Sequence, residues 1–551
     1  MKVVIIGGVA GGATAAVRLR RINEDAEIIL CERGEHVSFA NCGLPYYISE
    51  IIPDKNDLLL QTPKGFWKRF RIDVRINSVV EKISPAQKSV EIFDKVTGKT
   101  YVEKYDKLIL SPGAEPIKPN LPDSDLLNIF TVRNLPDIFK VKDFIDQTKP
   151  QKAVVVGAGF IGMEMAENLY LKGIRVTLVE LSDHVIGPLD YEMAAMVHQH
   201  LQEKQVDVYL KEGVKSFSNQ PDGLVVKLTS GRNIKTDMVI LSIGVKPEVE
   251  LAVEAGLELG THGGIKVDKY LRTSNSDIYA VGDAIEVNDF ITGEQNRFPL
   301  AGPANKQGRI VANNIGGHNE EYCGTQATSI VKVFDLTVAL TGNNEKSLKH
   351  KGIDYEKSFT YSLSHAGYYP GAIQMAIKLL FAKTDGKVLG AQIIGGEGVD
   401  KRIDVIATAI RAGMTVSDLE KLELAYAPMY SSAKDPVNIA GYTANNIIKG
   451  HCKVFHWDEV AGLDLNKVML LDVRTSSEFK QGTISGAVNI PVDSLRERLD
   501  EIPKDKDVFL FCQIGLRGYI ATRILQQKGY SKVKNLSGGF KTYHTASKHN
   551  Q

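Results

Sequence analysis

Short apolar runs recur along the chain, and each ends at a turn rich in glycine or polar residues. The runs VVII, AVVV and VFLF occupy residues 3–6, 153–156 and 508–511, and a helix-forming stretch follows each turn. Apolar runs of this length predict buried strands, and strand–turn–helix units predict parallel sheets covered by helices. The pattern therefore predicts an α/β protein built from several units of this kind.

The first glycine-rich turn predicts a dinucleotide site. In VVIIGGVAGGATAAVRLRR, residues 3–21, Gly7 and Gly12 fit a G-x-G-x-x-G pattern, whereas Val9 stands at its middle glycine. The next strand, EIILCER, contains Glu32, about 20 residues beyond the last glycine, where an acid that binds ribose is expected. Pyrophosphate rests on the helix N-terminus of such a unit.

The second glycine-rich turn follows the pattern strictly. Gly157, Gly159 and Gly162 lie in AVVVGAGFIGMEMAENL, and the strand RVTLVE ends at Glu180. A carboxylate at this place accepts hydrogen bonds from the ribose 2′-hydroxyl and repels a 2′-phosphate. The next residues, LSD, contain no arginine. The second site is therefore predicted to bind NADH in preference to NADPH.

Composition and charge exclude several classes of protein. A length of 551 residues predicts several domains, and a net charge of +1 gives no basic face for nucleic acid. The first apolar run ends in glycines, which is typical of a strand and not of a signal peptide, and no apolar run is long enough to span a membrane. Five widely spaced cysteines indicate a reducing cytoplasm, and no cysteine or histidine cluster predicts a metal site.

The two turns, together with LILSPGAEP (108–116), VILSIGVKP (239–247) and TSNSDIYAVGDA (273–284), resemble the flavin-dependent pyridine nucleotide–disulfide oxidoreductases over residues 1 to about 445. In that family the 273–284 segment returns to the FAD domain, and its aspartate binds the flavin side of FAD. The resemblance implies FAD and NADH as cofactors, with contacts at Gly7, Gly8, Ala10, Gly11, Gly12, Glu32, Arg33, Asn41, Ser111, Pro112, Gly113, Gly157, Gly159, Phe160, Ile161, Gly162, Glu180, Gly244, Gly282 and Asp283.

SFANCGLPY, residues 38–46, contains one cysteine, Cys42, and Tyr47 stands where two-cysteine members carry the second. This resembles the single-cysteine branch of NADH oxidases, NADH peroxidases and coenzyme A-disulfide reductases. The oxidases and peroxidases carry a histidine where this chain has Ala10, and the segment most closely resembles the coenzyme A-disulfide reductases. Cys42 would then form a mixed disulfide with coenzyme A, and we expect a helix N-terminus to lower its thiol pKa. The alternative is a buried structural cysteine.

The same resemblance implies a coenzyme A site. Arg18 and Arg21 lie three residues apart, share one helix face and suit the phosphates of an ADP moiety. The alternative is a solvated basic stripe that includes Arg20. The implied coenzyme A contacts are Thr14, Arg18, Arg21, Ser38, Phe39, Asn41, Asn305, Arg309 and Lys434.

Two later segments, SHAGYYPGA and LELAYAPMYSSAKDPVN, resemble the dimerisation domain of these reductases. In that family two tyrosines reach the cysteine of the other subunit, and Tyr368 and Tyr426 are the best matches. Tyr369 and Tyr430 stay open as alternatives. A phenol near Cys42 would protonate a leaving thiolate, which predicts a homodimer.

From Asn445 the chain enters a further α/β unit that resembles a rhodanese domain, through LDVR (471–474), the run 482–491 and the loop CQIGLRG. A strand ends at Cys512, and the backbone N–H groups of the next turn form an anion nest, to which Arg517 adds charge. Cys512 is therefore predicted to be a low-pKa thiolate that accepts sulfane sulfur. Related phosphatases use a C-x5-R loop, and the tighter C-x4-R loop here favours sulfur chemistry.

The predicted fold class is α/β, with two Rossmann-like FAD/NAD(P)-binding domains, an α+β dimerisation domain and a C-terminal rhodanese α/β domain. The predicted boundaries are 1–115 and 249–325 for the FAD domain, 116–248 for the NADH domain, 326–446 for the dimerisation domain, 447–457 for a linker and 458–551 for the rhodanese domain.

The fusion predicts a cytoplasmic, FAD-dependent reductase that uses NADH to reduce persulfides, polysulfides and coenzyme A disulfide, releasing sulfide and thiol. In this interpretation Cys42 takes its second thiol from coenzyme A, and Cys512 supplies sulfur. One alternative is a coenzyme A-disulfide reductase that maintains thiol redox balance. Another is a persulfide carrier or sensor that the flavin module resets. NADH oxidase activity is disfavoured by Ala10.

Overall fold

A computed structural model describes residues 1–221 and 223–549 of the chain. By its internal contacts the chain divides into two compact units, one formed by Met1–Leu181 with Tyr209–Ala327, and one formed by Ser182–Val208 with the residues from Thr328 onward. Within the described residues, no helix combines the length and apolar character that crossing a membrane requires.

The helices are numbered in chain order. They are α1 (Ala10–Ile22), α2 (Leu44–Ile48), α3 (Pro63–Phe70), α4 (Leu135–Thr148), α5 (Phe160–Leu171), α6 (Tyr191–Glu203), α7 (Glu250–Glu254), α8 (Ala301–Ile315), α9 (Glu345–His350), α10 (Val399–Arg411), α11 (Val416–Leu419), α12 (Pro436–Ile448), α13 (Ser476–Lys480), α14 (Leu516–Gln527) and α15 (Gly539–His549).

The strands are numbered in the same way. They are β1 (Lys2–Ile6), β2 (Glu27–Cys31), β3 (Asp73–Arg75), β4 (Ser78–Ser84), β5 (Ser89–Asp94), β6 (Lys99–Lys104), β7 (Lys107–Leu110), β8 (Ala114–Pro116), β9 (Ile129–Thr131), β10 (Lys152–Val156), β11 (Arg175–Val179), β12 (Asp207–Tyr209), β13 (Val214–Gln220), β14 (Gly223–Leu228), β15 (Asn233–Thr236), β16 (Met238–Leu241), β17 (Val245–Pro247), β18 (Ile265–Lys266), β19 (Ile278–Ala280), β20 (Ile285–Asn288), β21 (Gln295–Asn296), β22 (Ser329–Val333), β23 (Leu336–Gly342), β24 (Tyr355–Leu363), β25 (Gln374–Ala382), β26 (Val388–Gly395), β27 (Lys453–Phe455), β28 (Val468–Asp472), β29 (Val488–Asn489), β30 (Asp507–Phe511) and β31 (Val533–Leu536).

The first unit contains two parallel sheets. One has the order β19-β7-β1-β2-β3, so the segment that precedes Asp283 returns to the first sheet, as the resemblance implied. The other contains β11, β10, β16 and β9 in that order. Strands β8 and β17 pair antiparallel, and they belong to the two segments predicted to cross between the nucleotide domains. The apolar runs form these strands because both sheet faces are covered.

The second unit contains an antiparallel sheet, β22-β23-β26-β25-β24, and a parallel sheet, β27-β31-β30-β28-β29. Alternate residues of β30 belong to two different apolar clusters. Val508 and Leu510 pack into one cluster, and Phe509 and Phe511 pack into the other. This alternation is expected for a strand buried on both faces. The predicted α/β fold class with its four kinds of domain is confirmed, while the domain boundaries remain predictions.

The antiparallel sheet of the second unit is attached, through β24, to α15 and to the residue that follows β31. The Tyr361 and Thr542 hydroxyls lie 2.8 Å apart, and the Phe359 backbone N–H donates to the Ser537 hydroxyl at 3.2 Å. Phe359, Tyr361 and Thr542 are all buried. The two parts of the second unit therefore share a packed interface and are not joined by a flexible linker alone.

A charge cluster is also buried in the second unit. The Lys378 ammonium is fully buried and contacts the carboxylates of Asp190, Glu192 and Glu345, at 2.7 Å for Asp190 and 2.5 Å for Glu345. The three carboxylates offer oxygens close enough to hold a metal ion, yet the ammonium already lies against all of them. Lys378 is the cation that all three carboxylates share, and Lys357 adds a second buried cation to Glu345 at 2.9 Å.

Candidate active sites

The first glycine turn is closed so tightly that side chains are excluded. Gly7 has φ +95°, and a Cβ on it would lie 2.0 Å from the Ser111 carbonyl oxygen. A Cβ on Gly12 would lie 1.9 Å from the Gly7 carbonyl oxygen. The turn thus presents bare backbone at the start of α1, which is the surface that a pyrophosphate needs. The residues of this turn fit FAD.

Each of the two predicted ribose acids is held on its own glycine turn. Glu32 accepts hydrogen bonds from the N–H groups of Gly8 at 3.0 Å and Gly34 at 2.9 Å. Glu180 accepts from the Ala158 N–H at 2.7 Å. Both acids thus lie at the carboxyl end of the second strand of their sheets, where a dinucleotide ribose binds.

The second turn repeats the geometry of the first. Gly157 has φ +95°, and a Cβ on Gly162 would lie 1.9 Å from the Gly157 carbonyl oxygen. A Cβ on Gly159 would meet open space, so this glycine leaves room for a ligand. Of the other predicted cofactor contacts, Ser111, Pro112 and Gly113 follow β7, Phe160 and Ile161 open α5, Gly244 precedes β17, and Ala10 and Gly11 open α1.

Asp283 lies in a 3₁₀ turn directly after β19, at the carboxyl edge of the first sheet. Burial raises the pKa of its carboxyl to about 6, although the Arg133 charge opposes the shift. The Gly282 N–H donates to the buried Gln307 side chain at 2.8 Å. Gln307 was missed by sequence reasoning, since no motif marks it. Arg33, a predicted cofactor contact, pairs with Glu248 at 2.6 Å.

Cys42 lies in a 3₁₀ turn, Asn41–Gly43, that leads into the five-residue α2. We expected a helix N-terminus to lower the pKa of the Cys42 thiol. The protein groups around Cys42 act in the opposite direction, so this expectation is wrong. Partial burial raises the pKa of the Cys42 thiol, and the carboxylates of Glu164 and Asp283 raise it further.

Tyr46 and Glu164 form a pair beside Cys42 that sequence reasoning missed. Tyr46 follows Cys42 by four residues, and its hydroxyl donates to the Glu164 carboxylate at 3.3 Å. Burial raises the pKa of Glu164 to about 7, and burial followed by Glu164 raises that of Tyr46 to about 12. The helical spacing from Cys42 could have revealed Tyr46.

A cavity of about 300 Å³ lies between α1 and α8 in the first unit. It brings together five of the predicted coenzyme A contacts with two residues that were not predicted: Thr14, Arg18, Arg21, Asn305 and Arg309, together with Val17 and Lys306. The Thr14 hydroxyl lies 2.5 Å from the Asn305 side-chain oxygen. Three guanidinium groups and one ammonium group around one cavity suit a phosphorylated ligand.

The remaining predicted coenzyme A contacts do not line this cavity. Ser38, Phe39 and Asn41 lie in the segment just before Cys42, and Ser38 has φ +50°. Its backbone is tied on both sides, because its N–H donates to Gly8 and its carbonyl accepts from Leu60. Lys434 is exposed and belongs to the second unit.

In the second unit, the hydroxyls of Tyr368 and Tyr426 lie 2.8 Å apart. Both side chains are exposed, by 76% and 48%. Tyr369 and Tyr430 are also exposed. Tyr369 contacts the ring of His365, and Tyr430 lines a cavity of about 440 Å³ that Tyr426 also borders. Tyr368 and Tyr426 therefore form a hydroxyl pair, and their assignment as catalytic tyrosines remains a prediction.

The loop after β30 wraps the buried Cys512 sulfur. The Gly515 N–H donates to Cys512 Sγ at 3.1 Å, and Gly515 has φ +103°, which a side chain would strain. The Cys512 carbonyl accepts from the Phe540 N–H at 2.8 Å, so α15 supports the loop from behind. One backbone N–H just before α14 thus points at the sulfur, as an anion nest requires, and the nest itself remains a prediction.

We expected Arg517 to add a positive charge to the nest, but its charge is paired. Its guanidinium donates two hydrogen bonds to Glu478, at 2.7 and 2.6 Å, and these bonds hold the pKa of Glu478 at about 2. Arg517 also faces Cys512, whose negative charge would raise the pKa of Arg517. The arginine therefore bridges the sulfur and a carboxylate.

Two successive dinucleotide units with a lone cysteine beside the first define a flavin- and pyridine nucleotide-dependent oxidoreductase. The chain belongs to the pyridine nucleotide-disulphide oxidoreductase family, whose model matches residues 1–308, and the dimerisation domain of that family matches residues 328–436. A rhodanese-like domain matches residues 460–546. It is an FAD-dependent oxidoreductase that uses NAD(H), which confirms the cofactors that the resemblance implied.

Named relatives cover most of the chain. A coenzyme A disulfide reductase of Staphylococcus haemolyticus is 36% identical over 447 residues, which are 81% of this chain and 100% of that protein. The crystal structure of reduced Bacillus anthracis CoADR-RHD is 53% identical, with a TM-score of 0.97, and covers 99% of this chain and 98% of its own. The structure of an NAD-dependent persulfide reductase from A. fulgidus is 39% identical, with a TM-score of 0.91, and the match covers 98% of this chain and 100% of that chain. The resemblance to coenzyme A-disulfide reductases fused to a rhodanese domain is confirmed.

Proposed function

We propose that this chain reduces persulfides, foremost coenzyme A persulfide, and also coenzyme A disulfide, with electrons from NADH. The observation that carries the proposal is the cationic cavity between α1 and α8, in the unit that also contains Cys42. A site rich in arginine suits the phosphates of coenzyme A, and a lone thiol suits a substrate that brings the second sulfur. Relatives named for coenzyme A disulfide and for persulfide support the same substrates.

Cys42 is the nucleophile of the proposed cycle. Its thiolate attacks the coenzyme A-bound sulfur of the persulfide, the sulfur–sulfur bond breaks, hydrosulfide leaves, and a mixed disulfide of Cys42 and coenzyme A forms. Bound FAD supplies the two electrons from NADH that reduce this disulfide. Uptake of one proton then releases coenzyme A as thiol and leaves the Cys42 thiolate.

Tyr368 and Tyr426 are proposed to act on the cysteine of the partner subunit in a homodimer. Two exposed phenols that share a hydrogen bond are suited to donate a proton to a leaving thiolate. Lys434 is proposed to contact the coenzyme A of the partner subunit from the same surface.

Cys512 is proposed to load sulfane sulfur and to pass it to Cys42, either directly or on coenzyme A. The backbone nest around its sulfur supports a persulfide anion. A chain with few, scattered cysteines and two reactive thiols suits a reducing cytoplasm.

A second candidate function is reduction of coenzyme A disulfide for thiol redox balance. The Staphylococcus haemolyticus relative is covered completely by 447 matched residues, so it has no length left for a rhodanese domain. Reduction of the disulfide alone therefore needs only the first three kinds of domain.

Anaerobic NADH oxidation with coenzyme A persulfide and with coenzyme A disulfide, with sulfide measured, tests the proposal in the wild type, Cys42→Ser and Cys512→Ser. We expect one sulfide per NADH from the persulfide, loss of both activities in Cys42→Ser, and impaired polysulfide use alone in Cys512→Ser. Full turnover by Cys42→Ser would contradict the mechanism. Faster use of the disulfide, with no effect of Cys512→Ser, would support the thiol-balance function. Slow NADH turnover with every acceptor would instead favour a persulfide carrier.

A further inference from the structure

The side chains of the Cys512 loop carry no charge until Arg517. Gln513, Ile514 and Leu516 are uncharged, and the Gly515 backbone N–H donates to the sulfur. Arg517 is the first charged side chain of the loop that faces the sulfur. Leu516 and Ile520 lie four residues apart on α14 and are exposed by 63% and 42%. Since residues at this spacing share a helix face, the surface next to the loop is apolar.

Arg517 lies beside this surface and is paired with Glu478. Both terminal nitrogens of its guanidinium are bonded to the two carboxylate oxygens. An anion approaching Cys512 therefore meets a neutral ion pair and not a free cation.

The other cations that the described residues place against the loop are also engaged. Arg474 is buried, donates to both oxygens of Asp472 and to Gln513, and lies over the ring of Phe540. The Lys541 ammonium donates to the Gln374 side chain at 2.5 Å. The charge of Arg474 is balanced by Asp472, whereas Lys541 is held by two neutral groups, Gln374 and the ring of Tyr361, and burial lowers its pKa.

We infer that Glu478 sets the donor specificity of Cys512, by neutralising Arg517 and so excluding the thiosulfate dianion in favour of persulfides, whose sulfane sulfur carries at most one charge. This inference rests on the proposed role of Cys512 as a sulfur-loading thiol. With a persulfide, the Cys512 thiolate attacks the outer sulfur, the donor sulfur–sulfur bond breaks, the donor leaves as thiolate, and a Cys512 persulfide forms. With thiosulfate the same step would expel sulfite. Neither transfer needs an oxidant or a reductant.

Glu478→Gln is the informative variant, because it removes the charge and keeps the local fold. Glu478 closes the capping box of α13 with Thr475, and glutamine can serve at that position. The freed Arg517 then faces Cys512 with an uncompensated charge. Positive charge at a cleft raises the rate of anion capture by roughly tenfold or more at low salt.

The test uses the full-length, FAD-loaded protein without NADH and measures the mass of the Cys512 persulfide after alkylation. Coenzyme A persulfide and thiosulfate are the donors. The matched control is Glu501→Gln, which breaks the exposed Arg498–Glu501 pair of the same domain. The expected result is wild-type loading from the persulfide and not from thiosulfate. Glu478→Gln should load from thiosulfate at least about tenfold faster than the wild type, in a salt-dependent manner, and Glu501→Gln should behave as the wild type.

Three results would overturn the inference. Equal use of thiosulfate and persulfide by the wild type would show that Cys512 does not discriminate between the two donors. An unchanged thiosulfate rate in Glu478→Gln, with persulfide loading retained as proof of folding, would show that Glu478 does not set specificity. Lost persulfide loading in a folded Glu478→Gln would show that Glu478 only positions Arg517. If Cys512 takes sulfur from neither donor in any variant, the proposed loading role fails together with the inference.

Discussion

The hydroxyl oxygens of Tyr368 and Tyr426 lie 2.8 Å apart, although 58 residues separate the two tyrosines in the sequence. One hydroxyl must donate to the other, so each tyrosine orients its partner. The shared hydrogen bond raises the pKa of Tyr368, which keeps that phenol protonated and able to act as an acid.

Replacing either tyrosine by phenylalanine is therefore expected to lower kcat for coenzyme A persulfide by about 100-fold, the usual lower value for a lost acid catalyst. The double variant should be little worse than either single variant, because the pair acts as a unit. Steady-state kinetics with Tyr369→Phe and Tyr430→Phe as controls checks this. If the control variants lost as much activity, the assignment of acid catalysis to Tyr368 and Tyr426 would be wrong.

Removing the Glu164 charge is expected to lower the pKa of the Cys42 thiol. The pKa of Glu164 is about 7, so the carboxyl is mostly charged above that pH and then disfavours the thiolate. Glu164→Gln should shift the pH profile of Cys42 alkylation to lower pH, with the largest difference above pH 7. Glu81→Gln, at an exposed position, is the control. A shift to higher pH would contradict the assignment.

The same carboxyl predicts a change in stability with pH. Because its folded pKa lies above the ordinary value of 4.5, the folded chain binds more protons between pH 4.5 and about 7. Its contribution to the free energy of unfolding is thus lost as the pH rises through 7. Thermal unfolding should show Glu164→Gln gaining stability relative to the wild type above pH 7, and no relative gain there would contradict the raised pKa.

The cationic cavity predicts selective losses in affinity. Arg18→Ala and Arg21→Ala should each raise KM for coenzyme A persulfide by about tenfold, because a charge-assisted bond to phosphate is lost. KM for a persulfide without a nucleotide should stay the same. Arg69→Ala, an exposed arginine on α3, is the control. A parallel rise for both substrates would indicate that the arginines support the fold and not the ligand.

The buried charge cluster predicts a large effect on stability. Lys378→Met leaves three carboxylates without their shared cation and should lower the free energy of unfolding by about 3–5 kcal/mol. Lys349→Met removes an exposed lysine from Glu345, 3.5 Å away, and should cost less than about 1 kcal/mol. Denaturant unfolding of both variants distinguishes the cases, and equal costs would contradict the buried role of Lys378.

Local motifs explain why much of the fold and the site could be predicted. Gly7, Gly157 and Cys512 each lie at a strand end followed by a helix, and such signals need only neighbouring residues. The cationic cavity was predictable through resemblance, since Arg18 and Arg21 share one turn of helix. The turns and the pair of arginines are set within a short stretch of chain, whereas Asn305 and Arg309, which complete the cavity from α8, were found through the resemblance alone.

Features that join distant segments could not be predicted. Tyr46 and Glu164 are 118 residues apart, and Arg517 and Glu478 are 39 apart. Nothing in a single sequence shows that a carboxylate from another element will neutralise a loop arginine or raise the pKa of a thiol. The effect of such pairs depends on burial, which only the folded chain defines.

The packed contact between Tyr361 and Thr542 has an evolutionary consequence. A domain joined by a flexible linker can be lost from a gene with little harm to what remains. Loss of the rhodanese domain here would uncover Phe359 and Tyr361, which are now buried, and would leave an apolar patch that promotes aggregation. We therefore expect that loss of the domain would be tolerated only together with polar substitutions at Phe359 and Tyr361, so the two parts of the chain are expected to be inherited together.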